Sequence, residues 1–371
     1  MRVILAEKPS VAQSIAAVLG VDQKKNGYLQ GENDLVSWCI GHLIELAPPE
    51  TYDARYAKWR REDLPIVPSA WESVVSDGTK KQFAVLKDLL NRTDVDEVVC
   101  ATDAGREGEL IFRMVYEKTG CTKPVKRLWI SSLEESAIRD GFRSLKPGTA
   151  YDALYRAALC RAQADWLVGI NGTRLYSRLY GTKLNVGRVM TPTLAMVVQR
   201  EKEIAAFQVE RFYTVQFSCG FPAQSGRIKT REEAERIRAS CHCKKAAVKQ
   251  IERRQKKEKP PKLYDLTALQ RDANRIYGYT AQQTLDYAQT LYEKKLATYP
   301  RTDSRFLTHD LRDRLPALIE CVAQVLPFAS GLPLAVHTQQ VIRDEKVSDH
   351  HAIIPTQNMT REVLAQLPMG E

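Results

Sequence analysis

Val98-Val99-Cys100-Ala101 runs straight into Thr102-Asp103-Ala104-Gly105-Arg106-Glu107-Gly108-Glu109, and a helical pattern begins from Leu110. Four apolar residues in a row, bounded by a polar loop, suit a short strand buried on both faces. The same grammar stands at the start of the chain. Arg2 to Ala6 reads as a strand, Glu7-Lys8 as a charged turn, and Pro9-Ser10 opens an amphipathic helix running to about Leu19. Strand, acidic loop, helix, twice over, predicts a parallel α/β sheet. In such sheets the chemistry gathers at the carboxyl ends of strands, and Glu7, Asp103 and Glu107 all fall there. Carboxylates crowded together repel unless a hard cation sits between them, and oxygen ligands suit Mg²⁺. Each alone has a plainer reading, Glu7 as an acid at a helix N-terminus and Asp103 as a cap. Lys8 alone reads as a surface lysine.

A second pattern lies far downstream, in Leu296-Ala297-Thr298-Tyr299-Pro300-Arg301-Thr302-Asp303-Ser304-Arg305. A phenol oxygen can attack a phosphodiester, but its ordinary pKa near 10 means it needs electrostatic help. Arg301 offers a fork of donors for a phosphate. In an extended segment residues i and i+2 point the same way, so Tyr299 and Arg301 can face one phosphate. The plainer reading is a packing tyrosine, one of 15. A third pattern, Val347-Ser348-Asp349-His350-His351-Ala352-Ile353-Ile354-Pro355-Thr356, places two of the six histidines side by side. With no third ligand at metal spacing, they read as hydrogen-bond donors, a proton shuttle or ordinary loop histidines.

The 371 residues leave room for two or three cores. A net charge of +10 favours a polyanionic partner, nucleic acid above all. No apolar run approaches the ~20 residues of a membrane span, and Met1 to Glu7 meets charge at once, unlike a secretory leader. The eight scattered cysteines read as reduced cytosolic thiols. Cys241-His242-Cys243 lacks the fourth ligand and spacing of a zinc site.

Tyr151 to Phe207 is helical in pattern, with a loop before Val186-Gly187-Arg188-Val189-Met190-Thr191-Pro192-Thr193. Phe212 to Phe217 alternates like a strand and Ala246 to Ile251 is a second candidate, so 208–255 reads as β-rich. Nine Lys or Arg against two Glu in 244–262 read as a solvated connector in preference to a DNA-contacting arm. Thr267 with Gln270 and Thr280 with Gln283 fit capping boxes of two helices joined at Gly278, like a helix-turn-helix. Most such pairs are merely packed. No Gly-x4-Gly-Lys-Ser/Thr loop is present, which argues against ATP hydrolysis. A tyrosine that exchanges one phosphodiester for another conserves bond energy and needs none.

Taken in order, these segments resemble the type IA DNA topoisomerases, and among them bacterial topoisomerase III. Ala6-Glu7-Lys8-Pro9-Ser10 and Thr102 to Glu109 resemble the two halves of a Toprim metal site. Arg161 to Asn171, Val186 to Thr193, Pro261 to Thr267, Thr298 to Asp303 and Ser348 to Thr356 recur in the family's order. The resemblance implies a multidomain α/β plus α protein. Its parts would be a Toprim domain (Rossmann-like parallel sheet) over 1–150, a helical groove domain over 151–207, and a partial β-rich arch with the basic connector over 208–262. A helical, helix-turn-helix-like (CAP-like) domain carrying the tyrosine would follow over 263–371.

It also implies roles. Tyr299 would become 5′-phosphotyrosyl, Arg301 would orient the phosphate, and Lys8 would stabilise transition-state charge. Glu7 would protonate the leaving 3′-oxygen and reverse that on rejoining. Asp103 and Glu107, with Glu7, would hold Mg²⁺, and His350 would join the active site. Arg161, Asp165, Arg174, Arg188, Thr191 and His351 would contact DNA, through backbone contacts of little sequence preference. The implied partners are single-stranded and negatively supercoiled DNA and a helicase, for a cytoplasmic, nucleoid-associated monomer with no membrane. The implied activity is relaxation and decatenation without ATP.

Two departures stand out. The family pattern is Asp-x-Asp-x-Glu, and Gly105 stands at the second Asp, which implies weaker Mg²⁺ binding and one ordered ion. Met190 stands where a glutamine is common. The chain also ends at Glu371, before the family's return through arch and groove, as an incomplete ring and a truncated form would. On that reading Tyr299 meets Glu7 only if the ring brings them together, and the alternative is a catalytically silent single-stranded-DNA-binding remnant. A Toprim primase or nuclease would leave the Tyr299 segment without a role.

Overall fold

The computed structural model describes residues 1–371 apart from 131–132, 219, 246, 327–336 and 348–349. The chain forms two compact units, Met1–Val186 with Pro261–Glu371, and Gly187–Pro260, a coarser division than the four segments expected.

The first unit opens with β1 (Arg2–Ala6), α1 (Pro9–Leu19), β2 (Gln23–Lys25), β3 (Tyr28–Gln30) and β4 (Asp34–Trp38). An excursion follows: β5 (Ile44–Leu46), the short α2 (Pro49–Tyr52) and β6 (Ser73–Val75). Then come α3 (Lys80–Leu90), β7 (Glu97–Ala101), α4 (Arg106–Thr119), β8 (Val125–Arg127), α5 (Glu135–Arg143), β9 (Lys146–Pro147) and α6 (Asp152–Tyr180). The main sheet has the order β2-β3-β4-β1-β7-β8-β9. Its centre, β4-β1-β7-β8, is parallel and the outer strands are antiparallel. Alternate residues of the central strands serve two cores. Val3, Leu5, Val98 and Cys100 face α3, α4 and α6, while Ile4, Ala6, Val99 and Ala101 face α1 and α5. Burial on both faces is why these strands read as continuous apolar runs.

Pro9 starts α1, as the sequence predicts, and Gly20 ends it at φ 72. Helix α4 begins four residues earlier than Leu110, with Gly105 as its cap and Glu107 and Glu109 in its first turn, where acids favour the helix dipole.

The second unit holds α7 (Met190–Ala205), the antiparallel pair β10 (Gln216–Ser218) and β11 (Pro222–Gln224), and α8 (Arg231–Cys241). It is less β-rich than the alternation suggests. Thr230 caps α8 by accepting from the Glu233 N–H, and Ala234 joins a small core with Val215 and Ile228. Residue 246 lies outside the described residues, and 247–251 form no strand, since their basic flanks bury nothing.

The chain returns to the first unit with α9 (Leu266–Tyr277), α10 (Ala281–Glu293), α11 (Leu315–Val325), α12 (Thr338–Val341) and α13 (Arg361–Ala365). Thr280 and Gln283 form the expected capping box. Thr267 does not cap α9; Asp265 does, accepting from the Ala268 N–H at 2.6 Å. Gly278, at φ 72, turns the chain between the two helices. After α10 the chain is extended and pairs with the segment that follows His350. Thr298 N–H donates to the Ile354 carbonyl at 2.9 Å, Thr356 N–H to the Leu296 carbonyl at 2.9 Å, and Thr302 Oγ1 to the His350 carbonyl at 2.7 Å.

Candidate active site

Ala6 and Ala101 are paired at the ends of β1 and β7, so the next residues of both strands leave the sheet at one edge. That register brings Glu7 to Asp103: the Asp103 N–H donates to Glu7 Oε2 at 3.3 Å. Burial, and then the Asp103 charge, push the Glu7 carboxyl up to about 7, with Lys8 opposing. Glu107 is exposed, one step into α4, with His42 Nε2 at 3.7 Å from its Oε2. Two crowded carboxylates, one raised by the other, are a donor set that a hard cation relieves. Among the described residues no three His, Cys, Asp or Glu side chains form a ready-made cage, the Cys241-His242-Cys243 run included. Mg²⁺ needs none, because it binds through one or two carboxylates and keeps several waters.

Tyr299 meets this edge. It is 9% exposed and belongs, with Tyr292, to the same core as Ile4, Ala6 and Ala101. Its ring lies 4.3 Å from that of His350 and 5.2 Å, edge-on, from that of Tyr292. Burial, the Asp103 charge and a hydrogen bond to Asp103 hold the phenol above its ordinary pKa, and Arg301 opposes them. His350 is buried with no partner at Nδ1, and burial depresses its pKa to about 4, so its imidazole is neutral at pH 7. Ser348 and Asp349 of its segment lie outside the described residues. The expectation that only a complete ring brings Tyr299 to Glu7 is therefore corrected: both belong to one compact unit of this chain.

Residues 149–367 match the DNA topoisomerase family and residues 2–133 match the Toprim domain. The chain belongs to the type IA DNA topoisomerases. It is 46% identical to DNA topoisomerase 3 of Bacillus cereus over 369 residues, 96% of this chain and 50% of that one. It is 44% identical to DNA topoisomerase 3 of Bacillus subtilis over 369 residues, 96% of this chain and 51% of that one. The chain thus spans about half the length of these relatives. The fold matches full-length topoisomerase I from Thermotoga maritima with a TM-score of 0.67, at 24% identity, over 95% of this chain and 55% of that one.

The other residues expected from the type IA resemblance divide between the two units. Arg161, Asp165 and Arg174 are on α6, which packs on the opposite face of the sheet. Arg174 is buried and committed to protein: Nη1 donates to the Tyr56 carbonyl at 2.7 Å, and its guanidinium lies 5.4 Å from the Trp59 ring. Burial lowers its pKa. Arg188 and Thr191 are exposed in the second unit, where the Gly187 N–H donates to Thr191 Oγ1 at 3.0 Å. His351 is buried, its Nδ1 2.8 Å from the Ala352 carbonyl.

Sequence reasoning passed over three residues that the structure places against Glu107, Tyr299 and Asp103. His42 follows β4, a parallel neighbour of β1, so the strand-end rule would have found it. Tyr292 shares the buried face of α10 with Ala288, four residues before it. Arg127 is a charge at the end of an interior strand, which signals a buried partner.

Proposed function

We propose that this chain carries the transesterification centre of a topoisomerase III-like enzyme that cuts and rejoins one DNA strand. Tyr299 Oη attacks a phosphorus of single-stranded DNA, and the phenol proton passes by way of the Asp103 carboxylate to solvent. The P–O3′ bond breaks, leaving a 5′-phosphotyrosyl link and a 3′-oxygen. Glu7, poised near neutrality, gives that oxygen its proton and takes it back on rejoining. Arg301 holds the phosphate, Lys8 offsets transition-state charge, and neutral His350 supplies a hydrogen bond. Asp103 and Glu107, with Glu7 once it is ionised, would hold Mg²⁺, which would supply positive charge against the acidic edge. Repeated cutting, passage and rejoining would relax negatively supercoiled DNA and separate linked molecules without ATP.

The observation that carries this reading is Tyr299 packed, within one unit, in the same core as Ala6 and Ala101, the strand ends that lead into Glu7 and Asp103. A silent DNA-binding remnant would not require that juxtaposition. The test is a covalent trap. The protein is mixed with 3′-end-labelled single-stranded DNA and Mg²⁺, quenched with denaturant and resolved on a gel. Label on protein, lost in Tyr299→Phe, is the expected result. No adduct under any condition would favour the remnant.

A further inference from the structure

Arg127 takes no part in the steps above, yet it is the largest fully buried side chain described in the fold. It stands at the end of β8, beside β7. From Nη1 it donates to the carbonyls of Cys100 at 3.2 Å, Thr102 at 2.7 Å and Leu128 at 2.7 Å. From Nη2 it donates to the Asp103 carbonyl at 2.6 Å. Its Nε lies 3.3 Å from Glu109 Oε1. Three of those four carbonyls belong to the stretch where β7 becomes the acidic loop. Glu109 lies on α4, two residues beyond Glu107. One enclosed cation therefore grips the backbone of Asp103 and the first turn of α4 together.

A buried charge is costly, and an apolar pair of similar volume often serves stability as well. Packing alone does not require a guanidinium here. A planar fork that satisfies several carbonyls at once fixes their spacing, which an ammonium on a flexible stem does less well. Partners behind metal-binding carboxylates act in this way, by orienting the groups in front of them.

The geometry points to Arg127 as a positioning residue that sets the spacing of Asp103 and Glu107, and so the Mg²⁺ affinity and rejoining efficiency of the site. This rests on Asp103 and Glu107 as the metal-binding acids. Two variants of the full chain test it. Arg127→Lys keeps the charge and loses the fork. Arg127→Met with Glu109→Leu removes both charges together and abolishes the clamp without leaving either partner as a lone buried charge.

Mg²⁺ binding by calorimetry and the ratio of trapped adduct to rejoined oligonucleotide are measured, with thermal melts as the folding control. Either folded variant is expected to bind Mg²⁺ roughly tenfold or more weakly and to accumulate adduct that excess Mg²⁺ clears. Mg²⁺ affinity and rejoining equal to wild type in a folded variant overturn the proposal. Calorimetry needs no catalysis, so a wild-type chain that binds Mg²⁺ but forms no adduct overturns the Tyr299 reading and leaves this one standing. A wild-type chain that binds no Mg²⁺ overturns both.

Discussion

At the level of single residues, Glu7 and His350 respond to pH in opposite senses. Glu7 is raised from 4.5 to about 7, so between those values the folded chain holds a proton that the unfolded chain has released. That contribution to stability is fully present below about 4.5 and is lost as pH rises through 7. His350 is lowered from 6.5 to about 4, so its contribution is present above 6.5 and is lost as pH falls through 4. Without metal, ionised Glu7 facing Asp103 is thus a liability above neutrality. Glu7→Gln, melted in a chelator, should be more stable than wild type near pH 8 by about 1–2 kcal/mol, and no more stable near pH 4. Equal melting temperatures near pH 8 would mean that Glu7 carries no such strain.

At the level of elements, the junction of β7 with α4 depends on one glycine. A Cβ at Gly108 would lie 2.0 Å from the Asp103 carbonyl oxygen, because the loop folds back on the helix's first turn. Thr102 Oγ1 fastens the same fold by donating to the Gly108 carbonyl at 2.8 Å. Gly105, the family departure, is extended at φ -177, a conformation open to any residue, so its backbone does not demand glycine. Gly108→Ala should therefore destabilise the fold by roughly 1–3 kcal/mol and raise the Mg²⁺ needed for rejoining. A variant with wild-type melting and Mg²⁺ response would show that helix and loop can part freely. This junction was legible in the sequence because both its strand and its acids are local patterns. Helix α1 was legible for the same reason, from Pro9 to Leu19. What stayed hidden depends on distant partners. Arg127 looks like a surface charge until β7 supplies its carbonyls. Arg174 looks like a groove cation until residues 56–59 wrap it. Helix α8 was missed because the alternation around Phe212 outweighed the Thr230 cap.

At the level of the whole molecule, the proposed reaction requires DNA to reach a phenol that is 9% exposed, and so requires the tyrosine-bearing segment to part from the sheet. Two kinds of contact oppose that parting. Tyr292 and Tyr299 pack into the core under α1. Farther out, Arg314 reaches Glu134 at 3.7 Å and Asp140 at 3.5 Å across a cavity of about 640 Å³ that His351 and α5 also line. Those pairs are substantially exposed, and such pairs contribute about 1 kcal/mol at most after solvent screening. Truncating a buried aromatic ring costs about 3 kcal/mol or more. Aromatic packing should therefore dominate the closed state. Access to Tyr299 can be read from its nitration rate in the free protein, or from hydrogen exchange at residues 298–302. Arg314→Ala should speed either by about fivefold at most, and added salt should do the same to wild type. Tyr292→Ala should speed them by more than tenfold. If Arg314→Ala exposes Tyr299 as much as Tyr292→Ala does, charge rather than packing holds the site shut, and cleavage should then rise with ionic strength until DNA binding weakens.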